Sequence, residues 1–238
     1  LRPVTDNLQA EGHARLTPAD VLALAAPHGE ALAALAPSWN ALPQDLYLRD
    51  GGHYRSRRHA CFVQDLELER AVLGRVPHRA HWQPTTYNAL HGGLERWFEP
   101  VADEVAANPG WRRLLVALGE VFALLRPVPR WYIEAHQFRI DTVSGIGRPT
   151  PEGAHRDGVD YIAIVLVDRV RVIGGETRVF PADSGRGVRF TLTEPWSALL
   201  LDDASVVHET TPIQSAESEP GWRDTLVLTY RAAGFQSP

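Results

Sequence analysis

Apolar positions along this chain recur with two different periods, and the change of period divides it. Near the start, Thr17-Pro18-Ala19-Asp20 supplies a hydroxyl N-cap, a proline at the first helical position and an acid in the first turn. Val21, Leu22, Leu24 and Ala25 carry that helix on, and Pro27 stops it. A shorter helix is expected around Glu30 to Ala36, ending at Pro37. Leu46 to Arg49 and Tyr54 to Arg57 flank Asp50-Gly51-Gly52, which predicts a hairpin. From about Leu90 to Ala107, Leu94, Trp97, Phe98, Val101 and Val105 recur at three- and four-residue steps, the spacing of one helix face. Pro100 lies inside that run and is expected to kink or split it. Asn108-Pro109-Gly110 is a break, and Trp111 to Leu125 predicts a second long helix closed by Arg126-Pro127 and Pro129.

After Arg130 the runs become short and rich in β-branched and aromatic residues. They are Trp131 to Ile140, Tyr161 to Val167, Glu176 to Phe180, Val188 to Leu192, Ala198 to Leu201 and Thr225 to Tyr230. Gly145, Gly147, Pro149, Gly174-Gly175, Ser184-Gly185 and Pro220-Gly221 separate them as turns. Many closely spaced strands without intervening helices argue for an antiparallel sandwich or barrel. The expectation is one domain over 1–238: a helical part with a hairpin over 1–130, then a β core over 131–238.

Composition changes this picture little. Of the 238 residues, 44% are hydrophobic and 22% charged, enough for a packed core. The net charge of −5 gives no broad basic footprint for nucleic acid and no polybasic membrane anchor. Arg55, Arg57 and Arg58 form the one basic cluster, which reads as a solvated strand face. Cys61 is the only cysteine, so there is no internal disulfide or Cys-based zinc site, and it is expected to be a small buried hydrophobe. No run approaches the roughly 18 uninterrupted apolar residues of a membrane span, and the N-terminus lacks a signal layout. A cytoplasmic protein without membrane or nucleic-acid partners is the expectation. The sequence contains no Met, so it is expected to begin after the translational start or to lack some residues.

The candidate chemistry begins in Pro149-Thr150-Pro151-Glu152-Gly153-Ala154-His155-Arg156-Asp157-Gly158. In extended backbone His155 and Asp157 point to the same side, so an imidazole and a carboxylate can meet one metal ion. By itself the pair reads more readily as a surface turn with a capping Asp. Further on, Leu199-Leu200-Leu201 is followed by the turn Asp202-Asp203 and then Val206-Val207-His208, which places another imidazole at the start of a strand. Alone, His208 is also readable as a core or edge histidine. Arg223 opens the apolar run to Tyr230, fifteen residues after His208. If it points into a pocket it needs an anion, because a guanidinium cannot shed its charge. Two histidines and one carboxylate on one face leave open positions on a six-coordinate iron, and a nearby arginine fork suits a carboxylate.

With those residues in place the sequence resembles the iron(II)- and 2-oxoglutarate-dependent dioxygenases of the double-stranded β-helix fold. It looks most like the bacterial branch of BsmA-like proteins and free L-amino-acid hydroxylases such as isoleucine dioxygenase. The resemblance is carried by Tyr54-Arg55 with Arg57, Gln83 through Tyr87-Asn88, and His136 to Ile140. Pro151 to Gly158, Gly174-Gly175-Glu176-Thr177, Asp202-Asp203 with His208, and Arg223-Asp224 complete it. It implies a mainly β, α+β jelly roll with helices packed outside its major sheet. It further implies that His155, Asp157 and His208 ligate Fe(II) and that Arg223 pairs with the distal carboxylate of 2-oxoglutarate. The implied reaction hydroxylates a small molecule, with a free L-amino acid leading, and releases succinate and carbon dioxide from 2-oxoglutarate using O2. A peptidyl hydroxylase and a non-catalytic cupin-like sensor are the alternatives, and the oligomeric state stays open.

Several weaker candidates surround these. Gln137 and Arg139 share one face of their strand, with Gln137 placed toward the oxo acid and Arg139 toward a substrate anion; an outward face is equally open. Asp203 shapes the turn before His208 and is able to orient a ligand. His136, on the opposite face from Gln137, is expected to be structural, and Glu209 to point away from the metal. Tyr87 and Asn88 belong to the resemblance without a role.

Overall fold

The computed structural model describes residues 2–67, 71–88, 90–182 and 186–238. The turn expected at Ser184-Gly185 lies outside them. Two helices bracket the first strand: α1 (Arg2–Glu11), β1 (His13–Leu16) and α2 (Pro18–Leu24), followed by α3 (Gly29–Ala33) and a 3-10 turn at Ala36–Ala41. Then come β2 (Arg55–Asp65), β3 (Val72–Arg75), α4 (Asp103–Ala106), α5 (Pro109–Leu125) and β4 (Arg130–Asp141). The remainder is all strand: β5 (Tyr161–Val170), β6 (Val172–Gly174), β7 (Thr177–Pro181), β8 (Val188–Phe190), β9 (Ala198–Asp202), β10 (Val206–Thr210), β11 (Ile213–Ser215) and β12 (Trp222–Arg231).

Seven strands form the major sheet in the order β1-β9-β5-β12-β4-β2-β3, and the smaller sheets are β10-β7-β8 and β11-β6. Every pairing between these strands is antiparallel. This is the double-stranded β-helix, or jelly roll.

The period of two in each strand separates the two faces of the major sheet. Trp131 and Ile133 of β4, Ala163 and Val165 of β5, and Leu228 and Tyr230 of β12 turn outward and pack with Trp111, Leu114, Leu118 and Phe122 of α5 in one core. Phe122 stacks on Tyr161 with ring centroids 4.6 Å apart. The polar ends of the large rings are satisfied by the helix backbone: Trp131 Nε1 donates to Gly119 O at 2.9 Å and Tyr230 Oη to Leu115 O at 2.9 Å. The opposite face of the sheet closes a second core, in which Ile162, Ile164, Leu166, Leu199 and Leu201 meet Val179 and Val206 of the minor strands. Polar side chains on this inner face therefore border a cavity between the sheets.

The expected helix starting at Thr17 forms with a reciprocal capping box, in which Thr17 Oγ1 accepts from the Asp20 N–H and the Asp20 carboxylate accepts from the Thr17 N–H. Three expectations are corrected. Leu90 to Ala107 is not a helix apart from α4: residues 90–94 are turns, and the chain around Pro100 runs beside β2, with His59 N–H donating to Glu99 O and Val101 N–H donating to His59 O, both at 3.0 Å. Pro100 removes a helix donor, and pairing with β2 satisfies the backbone instead. Leu46 to Arg49 does not form a hairpin arm; Leu46 is exposed, and the segment just before it, Pro43 to Asp45, bonds Arg55 and Arg57. Nor is 1–130 a helical preface, because β1, β2 and β3 are strands of the major sheet. Among the described residues no single helix is long and apolar enough to cross a membrane.

Candidate active site

The segment entering β5 and the strand β10 meet at the cavity wall through a two-residue bridge. His155 N–H donates to His208 O and His208 N–H to His155 O, each at 3.0 Å. That pairing sets the two imidazoles side by side, 4.7 Å between ring centroids. His155, Asp157 and His208 each offer a ligand atom, and these lie within 4.8 Å of one another. His155 Nδ1 donates to Gly153 O at 2.9 Å, which leaves Nε2 facing Asp157 Oδ1 at 3.7 Å and Glu152 Oε1 at 3.6 Å. Burial holds His208 at about 4, with the neighbouring His155 adding to the shift, so this imidazole is neutral and ready to donate a lone pair. Burial also acts to lower His155, but the carboxylates of Asp157 and Glu152 outweigh it and raise the group. His208 Nδ1 is buried without a hydrogen-bond partner. Two imidazoles and one carboxylate, fixed on one side of a cavity, fit a divalent transition metal with coordination positions to spare.

Two side chains outside this set hold it in place. Asp203, fully buried in the turn between β9 and β10, accepts the backbone N–H of Asp157 at 2.9 Å, of Gly158 at 2.8 Å and of Val159 at 3.1 Å. Burial and the nearby Asp157 carboxylate push Asp203 up to about 6 against those three donors. Gln83 Nε2 donates to Asp157 Oδ1 at 3.0 Å, and Gln83 Oε1 accepts from Arg96 at 2.9 Å and from Asn88 at 3.1 Å. The Asn88 side chain thus braces the amide that orients Asp157. Gly158 sits at φ +73°, where a Cβ would come within 2.4 Å of the Tyr87 ring. Tyr87 therefore covers the loop that carries His155 and Asp157.

Arg223 reaches the same cavity from β12, with Ile164, Thr210, Thr225 and Val227 nearby on the wall. It is 3% exposed, makes no ion pair among the described residues, and its Nε has no partner. Burial, with the neighbouring Arg169, lowers it to about 10, still cationic at neutral pH. A buried cation so placed is suited to receive an anion.

The parity of β4 corrects the weaker candidates. Gln137 and Arg139 lie on the outer face: Gln137 Nε2 donates to Ser38 Oγ at 3.0 Å, and Arg139 holds the Asp224 carboxylate at 2.7 and 2.6 Å and Asn40 at 2.9 Å. Neither borders the cavity, so the co-substrate and substrate roles expected of them are withdrawn. His136 is the residue that faces inward. Arg55 and Arg57 are not solvated either. They are 6% and 3% exposed and line the cavity, while Arg58 alone of that cluster turns to the other face and donates to Pro100 O.

His59, His81, Glu134 and His136 form a further buried group whose ligand-type atoms also fall within 4.8 Å; all but His59 line the cavity. It is a hydrogen-bonded set rather than a metal centre. Glu134 Oε2 already accepts hydrogen bonds from His81 Nδ1 at 2.5 Å and from His59 Nε2 at 3.0 Å, and Arg57 donates to His136 Nδ1 at 2.7 Å. A cation there would have to displace these protons beside a guanidinium. Burial lowers all three imidazoles, His81 to about 4. Burial acts to raise Glu134, but its histidine partners outweigh that and hold it well below the usual carboxylate range.

Comparison with known proteins bears on the family and the fold. The family model described as 2OG-Fe dioxygenase matches residues 36–229. A crystal structure of a bsmA homolog from Methylobium petroleophilum PM1 is 57% identical, with a TM-score of 0.94 over 100% of this chain and 95% of that one. IDO from Bacillus thuringiensis is 18% identical, with a TM-score of 0.77 over 97% of this chain and 98% of that one. The Fe(II)/α-ketoglutarate-dependent dioxygenase TqaL is 20% identical, with a TM-score of 0.71 over 97% and 86%. At those identities the last two bear on the fold alone. No curated protein matches the chain.

Proposed function

The chain belongs to the 2OG-Fe dioxygenase family, and on that footing we propose that His155, Asp157 and His208 hold its iron and that Arg223 takes the distal carboxylate of 2-oxoglutarate. Iron(II) and 2-oxoglutarate are the family's cofactor and co-substrate. The observation that carries the residue assignment is a single juxtaposition. Three ligand atoms within 4.8 Å share one cavity with a buried arginine whose Nε is unpartnered. When bound, iron supplies the oxidative decarboxylation of 2-oxoglutarate to succinate and carbon dioxide, coupled to hydroxylation of a C–H bond.

The residues of the chain contribute binding, orientation and electrostatics. The two histidines add no charge and Asp157 adds one negative charge, so an iron(II) centre keeps one net positive charge and attracts a dianionic oxo acid. Arg223 fixes the far end of that acid by a charge-assisted hydrogen bond, worth roughly 1.5–3 kcal/mol where desolvated. Ile164 and Val227 keep that region of the cavity apolar and exclude water from it. Asp203 and Gln83 hold the Asp157 carboxylate toward the histidines.

For the substrate, a free L-amino acid is the reading we favour over a peptide. The cavity lies between the sheets and is lined by side chains of both signs, Arg57 and Arg96 against Glu134 and Glu152, as a small zwitterion requires. The test is succinate release from 2-oxoglutarate by iron-loaded enzyme in air, with each of the twenty amino acids and with short peptides. One or a few free amino acids are expected to stimulate release. Stimulation by peptides alone contradicts the substrate reading and leaves the metal assignment standing.

A further inference from the structure

Resting on that reading of the cavity, we propose that Arg57 and Arg96 form a second carboxylate subsite, which binds an anionic group of the primary substrate. The cavity then holds two carboxylates at once, the co-substrate's at Arg223 and the substrate's at Arg57 and Arg96.

Both guanidiniums are buried and line the cavity, Arg57 at 3% and Arg96 at 2% exposure. Arg57 lies between two aromatic rings, 3.6 Å from the centre of Phe98 and 4.3 Å from that of Phe138. Arg96 lies 5.9 Å from the same Phe98 ring. The two cations thus share one aromatic wall, which fixes their planes and leaves their edges for hydrogen bonds.

Neither has a carboxylate of its own. The nearest acid to Arg57 is Asp45, 3.8 Å from Nη1, but that carboxylate is bonded to Arg55 Nε at 2.7 Å and to the Tyr47 N–H at 2.8 Å. Glu134 is engaged by His59 and His81. The Arg57 side chain donates instead to the neutral acceptor His136 Nδ1, and Arg96 to the amide oxygen of Gln83. Nε of each arginine is buried without a partner. Arg96 forms no ion pair among the described residues. Burial lowers both, Arg96 to about 10, and a guanidinium does not give up its charge in a protein. Two neighbouring buried cations, one with no ion pair among the described residues and one sharing at 3.8 Å a carboxylate that Arg55 already holds, are expensive unless a further anion completes them. Arg223 already answers to the oxo acid, so this pair answers to something else in the same cavity.

The experiment is anaerobic calorimetry on iron-loaded enzyme saturated with 2-oxoglutarate. The probes are the twenty L-amino acids, their carboxamides and their N-acetyl derivatives. Compounds with a free carboxylate are expected to bind and their carboxamides to lose at least about tenfold in affinity. Arg57→Gln is expected to weaken the best carboxylate by about tenfold to a hundredfold and to leave its carboxamide and 2-oxoglutarate unaffected. Arg96→Lys, which keeps the charge and loses the fork, should show a smaller effect in the same direction. Retained 2-oxoglutarate binding shows that the variants are folded. Three results overturn the proposal: no free carboxylate among the probes binds, the carboxamide binds as well as the acid, or Arg57→Gln weakens 2-oxoglutarate instead. Loss of iron or 2-oxoglutarate binding by the unaltered protein would instead refute the metal-site reading on which it rests.

Discussion

Asp203 accepts the backbone N–H of Asp157 at 2.9 Å, from a turn forty-six residues further along the chain. The same carboxylate takes the next two N–H groups, and its turn leads directly into the strand of His208. One buried side chain therefore ties together the two segments that carry all three proposed metal ligands.

Asp203→Asn leaves one oxygen where two accepted three hydrogen bonds. Partners of this kind typically contribute 10–100-fold in metal affinity or activity. Iron(II) affinity, measured by competition with a chelator, is expected to fall by about that factor while secondary structure is retained. An unchanged affinity contradicts the positioning role.

Arg223 and Gln137 separate the two faces of the sheet. Arg223→Gln should raise the KM for 2-oxoglutarate by about ten- to a hundredfold, the loss of one desolvated charge-assisted bond. Gln137→Ala, on the outer face beside Ser38, should leave that KM within about twofold. Steady-state kinetics on the two variants decides it, and the reverse ranking would place the co-substrate elsewhere.

The His59, His81 and His136 imidazoles are held below their ordinary value of 6.5 chiefly by burial. In the interval below 6.5 the unfolded chain thus binds more protons than the folded one. Their contribution to stability is present above about 6.5 and is lost as pH falls toward 4, the value of His81. Glu134, held low by the same group, adds a further loss once the pH passes below its unfolded value of 4.5. The Tm of metal-free protein should be level near pH 7 and decline steadily from pH 6.5 to 4. A flat profile down to pH 4.5 contradicts the neutral, buried cluster.

Much of this was legible in the sequence, and the failures have a common cause. A spacing of two in extended backbone predicts that His155 and Asp157 share a side, and the structure does bring them together with His208 of β10. The spacing alone reads more readily as a turn, and the resemblance and Arg223 are what make the three a candidate ligand set. Arg55 and Arg57 read as solvated in the sequence because a strand facing a polar cavity alternates in the same way as one facing water. The face of Gln137 and Arg139 is ambiguous in the sequence on the same ground: both faces of β4 mix apolar and polar residues, and only the packing of helices on one side breaks the tie. Leu94 to Val105 has the spacing of a helix, yet Phe98 serves the cavity and Val101 the core from extended backbone. Gln83 lies seventy-four residues from Asp157, and no local pattern announces a hydrogen bond across that distance.

The central claim is that His155, Asp157 and His208 bind the iron on which turnover depends. The most direct test is to reconstitute wild-type protein and His155→Ala anaerobically with iron(II), measure bound iron by elemental analysis, and then measure succinate formed from 2-oxoglutarate in air. The wild type should hold one iron per chain and form succinate. His155→Ala should hold little iron and form none above background, and full iron content with undiminished succinate in that variant would contradict the account.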